Sequence, residues 1–284
     1  MRWRGRQQSS NVEDRRGIGG GRLAVGGGAG ILVIAALVWL LGGNPSDVLN
    51  SLQSTPAGTE YGAVDSTVIQ AEQELAQFAA VVLKDTEDVW HALFSEMGKT
   101  YQEPTLVLFS GSAESACGYS ASATGPFYCP MDGRLYIDLS FLAELQQRLS
   151  ATGDFAMAYI IAHEVGHHVQ NLLGIMDQVR SLEGSVSEAE YREANIGLEL
   201  QADFLAGIWA HYAEKTKGIL EEGDVDEALN AATAVGDDRI QMKSQGYVVP
   251  DSFTHGTSEQ RRSWFLKGFR TGDLSQGNAL SQTG

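Results

Sequence analysis

The chain has 284 residues, a formal net charge of −16 and two cysteines. Its length allows one domain of about 200 residues with a sizeable core beside shorter terminal segments. A strongly acidic domain is repelled by the phosphates of nucleic acid, so we predict no nucleic-acid partner. The charge is compatible with an exported domain and identifies no substrate.

The N-terminal residues predict a membrane anchor. Residues 1–22 carry six arginines against Glu13 and Asp14, and the uncharged stretch Leu23–Leu41 follows. Its 19 residues approach the length of a helix that spans a bilayer. We therefore predict a basic cytoplasmic N-terminus (1–22) and one transmembrane helix (23–43), with the rest of the chain outside the cytoplasm by the positive-inside rule. A cleaved signal peptide is the alternative, although no small-x-small cleavage site follows.

Composition divides the remaining chain into three parts. Residues 44–64 are rich in Pro, Gly, Ser and Thr and predict a linker. Residues 65–272 carry the apolar patterns of one folded domain. Residues 273–284 are small and polar and predict a flexible tail.

Helical and strand patterns alternate irregularly in the predicted domain. Helices are expected over about 68–82, 85–99, 187–216, 225–245 and 258–270, several of them opened by acidic or Ser/Thr capping residues. Strands are expected at Thr105–Phe109, Phe127–Cys129 and Arg134–Asp138, the last two joined as a hairpin. An ordinary sheet strand is the favoured interpretation of 134–138; the alternative is an exposed edge, at which an extended peptide could add as a further strand.

A His-Glu-x-x-His motif lies in an apolar helical stretch. His163 and His167 are four residues apart, so both imidazoles project from one helix face and can reach one Zn²⁺ ion. Glu164 is rotated by about 100°, which places its carboxylate beside the ion as a general base rather than on it. Two surface histidines on an ordinary amphipathic helix are the alternative, but the aliphatic flanks 155–161 and 169–173 predict burial.

A catalytic zinc site needs a third protein ligand. Glu199 and Asp203 are again four residues apart, on the helix predicted over 187–216. We predict that Glu199 binds the zinc and that Asp203 accepts the free ring N–H of a ligand histidine. Glu193 is the alternative ligand. A further alternative is that Glu199 and Asp203 are two solvated carboxylates on a helix surface and bind no metal.

Cys117 and Cys129 are predicted to form a disulfide, because an even number of cysteines outside the cytoplasm favours pairing. Two reduced thiols are the alternative. His255 stands beside Gly256 at the junction of a loop and a helix. We predict that His255, or a tyrosine such as Tyr247, stabilises the oxyanion of a hydrolytic reaction. A purely local hydrogen-bonding role is the competing interpretation.

The chain resembles the neutral zinc metallopeptidase family of bacterial membrane-anchored proteins. The matching segments are Cys117-Gly, Gly125-Pro-Phe-Tyr-Cys129-Pro, Leu135-Tyr-Ile-Asp-Leu-Ser-Phe141, Asp154-Phe-Ala-x-Ala-Tyr159, Ala162-His-Glu-Val-Gly-His-His-Val-Gln-Asn-Leu-Leu-Gly174, Glu199-Leu-Gln-Ala-Asp-Phe204 and His255-Gly-Thr-Ser-x-Gln-Arg261. The resemblance implies a small zincin-like domain of the gluzincin type, an α+β fold that is mainly helical with a small sheet. It also implies Zn²⁺ held by His163, His167 and Glu199, with Glu164 as the catalytic residue.

We therefore predict a zinc metalloendopeptidase anchored in the bacterial inner membrane by a single span, with its catalytic domain in the periplasm or outside the cell. It would hydrolyse peptide or protein substrates with a zinc-activated water and Glu164 as the base. The alternative is a catalytically inactive zinc-site scaffold that binds peptides or partner proteins at the membrane. An intact Glu164 argues against the scaffold, because a purely structural zinc site needs no base.

Overall fold

A computed structural model of the protein describes residues 1–16, 66–121, 125–139 and 153–279. The fold is of the α+β class, as predicted. Its strands are Val12–Asp14 (β1), Thr105–Phe109 (β2), Ser112–Ser115 (β3), Gly118–Ala121 (β4), Phe127–Cys129 (β5) and Arg134–Asp138 (β6). Its α-helices are Ser66–Glu96 (α1), Asp154–Leu172 (α2), Ile175–Arg180 (α3), Glu188–Lys217 (α4), Asp224–Ala234 (α5), Asp237–Gln245 (α6) and Ser258–Thr271 (α7).

The main sheet has the strand order β1-β2-β6-β5. β1 and β6 run parallel to β2, whereas β5 runs antiparallel to β6 as the second arm of the predicted hairpin. Because β6 lies between β2 and β5, residues 134–138 form an ordinary sheet strand, as favoured from the sequence, and the alternative of an exposed edge there is wrong. Among the described strands, the free edge on this side of the sheet belongs to β5. β3 and β4 form a separate antiparallel hairpin.

The disulfide prediction is confirmed. Cys117 and Cys129 are bonded to each other. Cys117 lies in the turn between β3 and β4, and Cys129 is the last residue of β5. The bond therefore ties the small hairpin to the edge strand of the main sheet.

Helix α1 is longer than the sequence predicts. The acidic run that begins at Asp85 suggested a second helix start, but the helix continues through it. The Asp85 carboxylate is buried and accepts hydrogen bonds from Arg6 at 2.6 Å and Lys217 at 2.8 Å. The Thr86 hydroxyl donates to the Leu83 carbonyl oxygen at 2.7 Å, one turn earlier. The polar side chains thus have partners in the helical conformation, so they do not interrupt it.

The helices in the C-terminal half largely begin where the capping residues of the sequence predict. Capping boxes at Ser187 and Thr257 open α4 and α7. The single helix expected over 225–245 is divided into α5 and α6, with the extended residue Gly236 between them. A side chain at Gly236 would meet the Ser258 backbone nitrogen at 2.4 Å, so the break allows α7 to begin close by.

Glycines let three helices approach one another closely. A Cβ atom on Gly166 of α2 would lie 2.9 Å from the Ala202 carbonyl oxygen of α4. At the next crossing, a Cβ on Gly207 of α4 would lie 2.1 Å from the Phe265 oxygen of α7, and a Cβ on Gly268 would meet the Phe204 oxygen as closely. These contacts place the motif face of α2 against α4, and α4 against α7.

Residues 1–16 pack against the folded unit that the described residues from 66 onward form. Trp3 is buried with an edge-to-face contact to Phe78 of α1, and β1 extends the main sheet. The predicted transmembrane helix (23–43) and linker (44–64) lie outside the described residues, as does the end of the predicted tail beyond residue 279. None of the helices that the structure does describe is long and apolar enough to cross a membrane. The membrane topology predicted above stays a prediction.

Candidate metal centre

The three predicted ligands come together between α2 and α4. His163 and His167 project from α2, and Glu199 faces them from α4. The His163 Nε2 atom lies 3.3 Å from the Glu199 Oε2 atom, and the His167 Nε2 atom lies 3.5 Å from Oε1. One ligand atom from each of the three residues falls within 4.8 Å of the others. Glu193, the alternative ligand, is exposed and is not part of this group.

Hydrogen bonds orient both imidazole rings in the same way. The His163 Nδ1 atom is 2.8 Å from the Asp203 Oδ1 atom, so the hydrogen bond predicted for this pair is present. The His167 Nδ1 atom is 2.9 Å from the Gln170 Oε1 atom. When both Nδ1–H groups donate to these oxygens, both Nε2 lone pairs point toward Glu199.

The fit to a zinc ion can be tested on distances and charge. Zn²⁺ binds imidazole nitrogen and carboxylate oxygen at about 2.0–2.1 Å, so tetrahedral ligands lie about 3.4 Å apart. The separations of 3.3 and 3.5 Å match that value. Glu164, Glu199 and Asp203 bring three negative charges against the single positive charge of Arg261, which leaves −2 for a divalent cation to balance. The residues present therefore fit Zn²⁺.

The electrostatic environment of His163 also favours a bound cation. Burial disfavours a charged ring, but the carboxylates of Asp203 and Glu199 outweigh burial and raise the pKa of His163 to about 9. The pocket thus favours a positive charge at this ring. A metal cation at Nε2 would supply that charge in place of a proton.

Asp203 is the centre of a buried hydrogen-bond network. Its Oδ2 atom accepts from Arg261 Nε at 2.8 Å, and its Oδ1 atom accepts from the Tyr159 hydroxyl as well as from His163. The Arg261 guanidinium holds the pKa of Asp203 near 2 against the opposing effect of burial. Arg261 and Tyr159 were not identified as site residues from the sequence. The signal that could have found Arg261 is its place in the segment His255–Arg261, which carries the family resemblance.

Gln170 was also missed. Its side-chain nitrogen donates to the Leu198 carbonyl oxygen at 2.7 Å and to Gln201 Oε1 at 3.0 Å. These two bonds turn its own oxygen toward His167. The spacing of three residues between His167 and Gln170 on one helix could have indicated this contact.

Asp203→Asn should lower zinc affinity by roughly 10–100-fold, because the amide holds the His163 ring less strongly than the carboxylate does. It should also lower thermal stability, since Arg261 would lose its buried counter-charge. Titration with a chromophoric chelator measures the affinity. Asp226→Asn, an exposed carboxylate on α5, is the control. An Asp203→Asn protein with wild-type zinc affinity would contradict this role.

Glu164 stands at a cleft in front of the three ligands. The cleft has a volume of about 580 Å³, and the Glu164 side chain borders it while the residue is only 8% exposed. The cleft is lined by Gly125, Pro126, Phe127, Tyr128, Tyr159, Ile160, His163, Glu164, His167, Met176, Glu199, Val235, Ile240, His255 and Arg261. A peptide in this cleft would meet the metal ligands, Glu164 and the edge strand β5 together.

His255 borders the same cleft, although it follows the motif by about 90 residues. Its Nδ1 atom is 3.2 Å from the Asp237 Oδ1 atom. The other Asp237 oxygen accepts from the backbone N–H groups of Thr254 and His255 at 2.7 and 2.6 Å. The hydrogen bond that the His255 ring donates to Asp237 raises the pKa of His255, against the effect of burial. Tyr247 is 59% exposed and does not line the cleft.

His168 has a different role from its neighbour His167. Its Nε2 atom is 2.7 Å from the Gln102 carbonyl oxygen, and its Nδ1 atom is 3.1 Å from the Tyr128 hydroxyl of β5. Burial lowers the pKa of His168, so the ring is neutral and accepts from Tyr128. Asn171 donates to the same hydroxyl at 2.9 Å. The helix that carries the metal ligands is therefore bonded to the strand that borders the cleft.

A second group of three carboxylates contains Asp154, Asp224 and Glu227. The Met1 ammonium group contacts Asp154 and lies 3.3 Å from Asp224 Oδ1. The Met1 ammonium group already lies among these carboxylates and neutralises one of their three charges, and the group contains no histidine or cysteine; we assign no metal to it.

The protein combines an α+β fold with a His-Glu-x-x-His motif whose two histidines face a glutamate of a second helix at the spacing of a metal centre. The chain belongs to the family described as "Putative neutral zinc metallopeptidase", which matches residues 1–280. Membership implies Zn²⁺ as the cofactor and peptides or proteins as the class of substrate.

Two relatives illustrate the breadth of the family. The chain is 48% identical over 291 aligned residues to the uncharacterized protein YpfJ of Escherichia coli K12, covering all of both chains. It is 37% identical over 244 residues to the uncharacterized protein Rv2575 of Mycobacterium tuberculosis H37Rv, covering 82% of each. No solved structure matches the chain.

Proposed function

We propose that this protein is a zinc metalloendopeptidase of the gluzincin type. The observation that carries the proposal is the position of Glu164: a buried carboxylate that borders the cleft beside two histidines and a glutamate spaced for one zinc ion. When bound, zinc would polarise the scissile carbonyl group and lower the pKa of the attacking water. A metal centre with a purely structural role would have no use for such a free carboxylate at an open cleft.

Glu164 is the general base in this proposal. It is adjacent in sequence to His163 but is not one of the three ligands, so its carboxylate is available to a proton. The carboxylate accepts the proton of the attacking water and then donates it to the leaving amine. A glutamine at this position would keep the shape of the side chain and lose both transfers.

His255 stabilises the oxyanion of the reaction together with the zinc ion. The tetrahedral intermediate carries a negative oxygen, and a fixed donor beside it lowers the barrier. The His255 Nδ1 atom lies 3.2 Å from Asp237 Oδ1 and 2.8 Å from Thr254 Oγ1. When the ring is protonated, its Nε2–H is the donor that could serve the oxyanion. The raised pKa of His255 keeps the ring protonated over a wider range of pH.

The cleft favours an extended peptide with apolar side chains. The edge strand β5 borders it, and the backbone of a substrate could add there as a further strand. Ile160, Met176, Val235 and Ile240 give the cleft an aliphatic surface. The charge of its lining arginine, Arg261, is already matched by Asp203. These features disfavour acidic peptides as substrates.

A cleavage assay with the purified full chain tests the proposal. The expected result is hydrolysis of a peptide library containing aliphatic and aromatic residues, loss of activity with a zinc chelator, and recovery when zinc is restored. A protein that holds one zinc per chain and binds these peptides without cleaving them would overturn the proposal and favour the scaffold.

His255→Ala should lower kcat by roughly 10²–10³-fold and leave the zinc content unchanged, because it removes an oxyanion donor but no ligand. Measuring kcat, bound zinc and Tm together separates this effect from misfolding. His91→Ala is a matched control. His91 is 47% exposed at its side chain and pairs with Glu103, much as His255 is 48% exposed and pairs with Asp237. A His255→Ala protein with lower Tm but full activity would show that the residue has only a structural role.

Tyr128→Phe should raise KM for extended peptides about fivefold, the equivalent of about 1 kcal/mol for its lost hydrogen bonds. Zinc content should not change, since no ligand contacts the Tyr128 hydroxyl. Cleavage of short peptides that do not reach β5 should be less affected. Tyr119→Phe, at a tyrosine that is 74% exposed, is the control. Equal KM values for wild type and Tyr128→Phe would contradict a role for this hydroxyl in positioning β5.

A further inference from the structure

Residues 1–16, here called the N-terminal arm, contribute to the core of the domain. Trp3 is 8% exposed, and its ring lies 5.5 Å from that of Phe78, which is 2% exposed on α1. Both side chains belong to the main hydrophobic cluster, together with residues of α2 and α4. Removing the arm would expose this part of the cluster to water, at a cost in proportion to the apolar area uncovered.

The arm also completes the main sheet. Val12, Glu13 and Asp14 pair in parallel with residues 106–108 of β2. The ladder continues at both ends, because Leu106 N–H donates to the Asn11 carbonyl and Arg15 N–H donates to the Leu108 carbonyl, each at 2.8 Å. Without β1, the backbone groups on this edge of β2 would lack their partners.

Charged side chains fix the arm at further points. Arg6 donates to the buried carboxylate of Asp85 at 2.6 Å. Glu13 in β1 accepts from Arg134 of β6 at 2.8 Å. Loss of Arg6 would leave Asp85 with less compensation for its burial. The arm is thus attached by apolar, backbone and ionic contacts.

The last residue of the arm, Arg16, lies beside the first turns of α1. Arg16 donates to the Glu72 carbonyl oxygen at 3.0 Å and contacts Gln73, both in the first turns of α1. α1 begins at Ser66, about two helical turns before those residues. Residues 17–65, which include the apolar stretch Leu23–Leu41, therefore join Arg16 to the start of α1, and both belong to one folded unit.

We propose that the N-terminal arm and the domain lie on the same side of the membrane, so that the apolar segment between them is not a single membrane span. A single crossing would put residues 1–16 and 66–279 on opposite sides, and the packing of Trp3, β1 and Arg6 would be impossible. This proposal replaces the topology predicted from the charge of residues 1–22, and it does not depend on peptidase activity.

Accessibility labelling of the full chain in spheroplasts tests the proposal. Ser10→Cys places a thiol on an exposed position of the arm, and Ser263→Cys places one on an exposed position of α7. A membrane-impermeant maleimide should label both or neither, and lysis should make both reactive. The parent chain, whose own cysteines are disulfide-bonded, gives the background. Labelling of one position and protection of the other in intact spheroplasts would overturn the proposal.

A stability measurement gives an independent test in the native membrane. Trp3→Ala should lower the midpoint of thermal unfolding of the domain by about 10 °C, because it opens a cavity against Phe78. Gln7→Ala, at an exposed position of the arm, should leave the midpoint unchanged. Pulse proteolysis of membranes over a temperature series reports the midpoint without detergent. If the Trp3→Ala midpoint equals that of wild type, the arm does not pack on the domain.

Discussion

Glu164→Gln should retain about one zinc per chain and lose peptide hydrolysis. The substitution removes the group that accepts the water proton, and such a base is worth roughly 10²–10⁴ in rate. It keeps the size of a buried side chain and leaves the three proposed ligands, His163, His167 and Glu199, in place. Metal analysis of the purified protein and kcat on a cleaved peptide, measured on the same sample, give the two quantities.

The matched control is Glu183→Gln, an exposed glutamate beyond α3 that should change neither quantity. Two results would contradict the role of Glu164. Loss of zinc would mean that the carboxylate is a ligand. Turnover equal to wild type would mean that proton transfer uses another group.

Glu199→Ala should weaken zinc binding by more than about 100-fold, beyond the effect expected for a residue that only orients a ligand. Activity should fall in parallel, and excess zinc should restore part of it. The reason is geometric: Glu199 contributes the oxygen atoms that lie 3.3 and 3.5 Å from the two imidazole nitrogens. Competition with a chelator of known affinity measures the loss.

Glu193→Ala is the natural comparison, because Glu193 lies on the same helix and was the alternative ligand. Its side chain is exposed and belongs to no metal-binding group among the described residues, so zinc affinity should remain at the wild-type value. If Glu193→Ala loses zinc while Glu199→Ala keeps it, the third ligand is misassigned. Asp203→Asn should fall between the two variants.

Local rules explain which parts of the fold were predictable. The strand Thr105–Phe109, the hairpin of β5 and β6, and the starts of α4 and α7 all follow from short-range patterns and capping. The local rules failed where a distant residue changed the environment. α1 passes through its acidic run because Arg6 and Lys217 neutralise Asp85, and neither is near it in sequence.

The sequence by itself determined which residues form the candidate metal centre. Spacings of four residues on a helix put His163 with His167, and Glu199 with Asp203, because side chains that far apart share a face. What no spacing could determine is how the two helices meet. That depends on the close approach at Gly166, where the absence of a side chain lets α4 reach the ligand face of α2.

Only the tertiary structure decided the rest of the site and the position of the N-terminal arm. Arg261 and His255 reach the cleft from α7 and the loop before it, because the glycine crossing of α4 and α7 brings their backbones together. The first 22 residues predicted a separate cytoplasmic segment from their charge alone. Charge patterns carry no information about the fit of Trp3 against Phe78, and that contact between residues 75 positions apart attaches the arm to the domain.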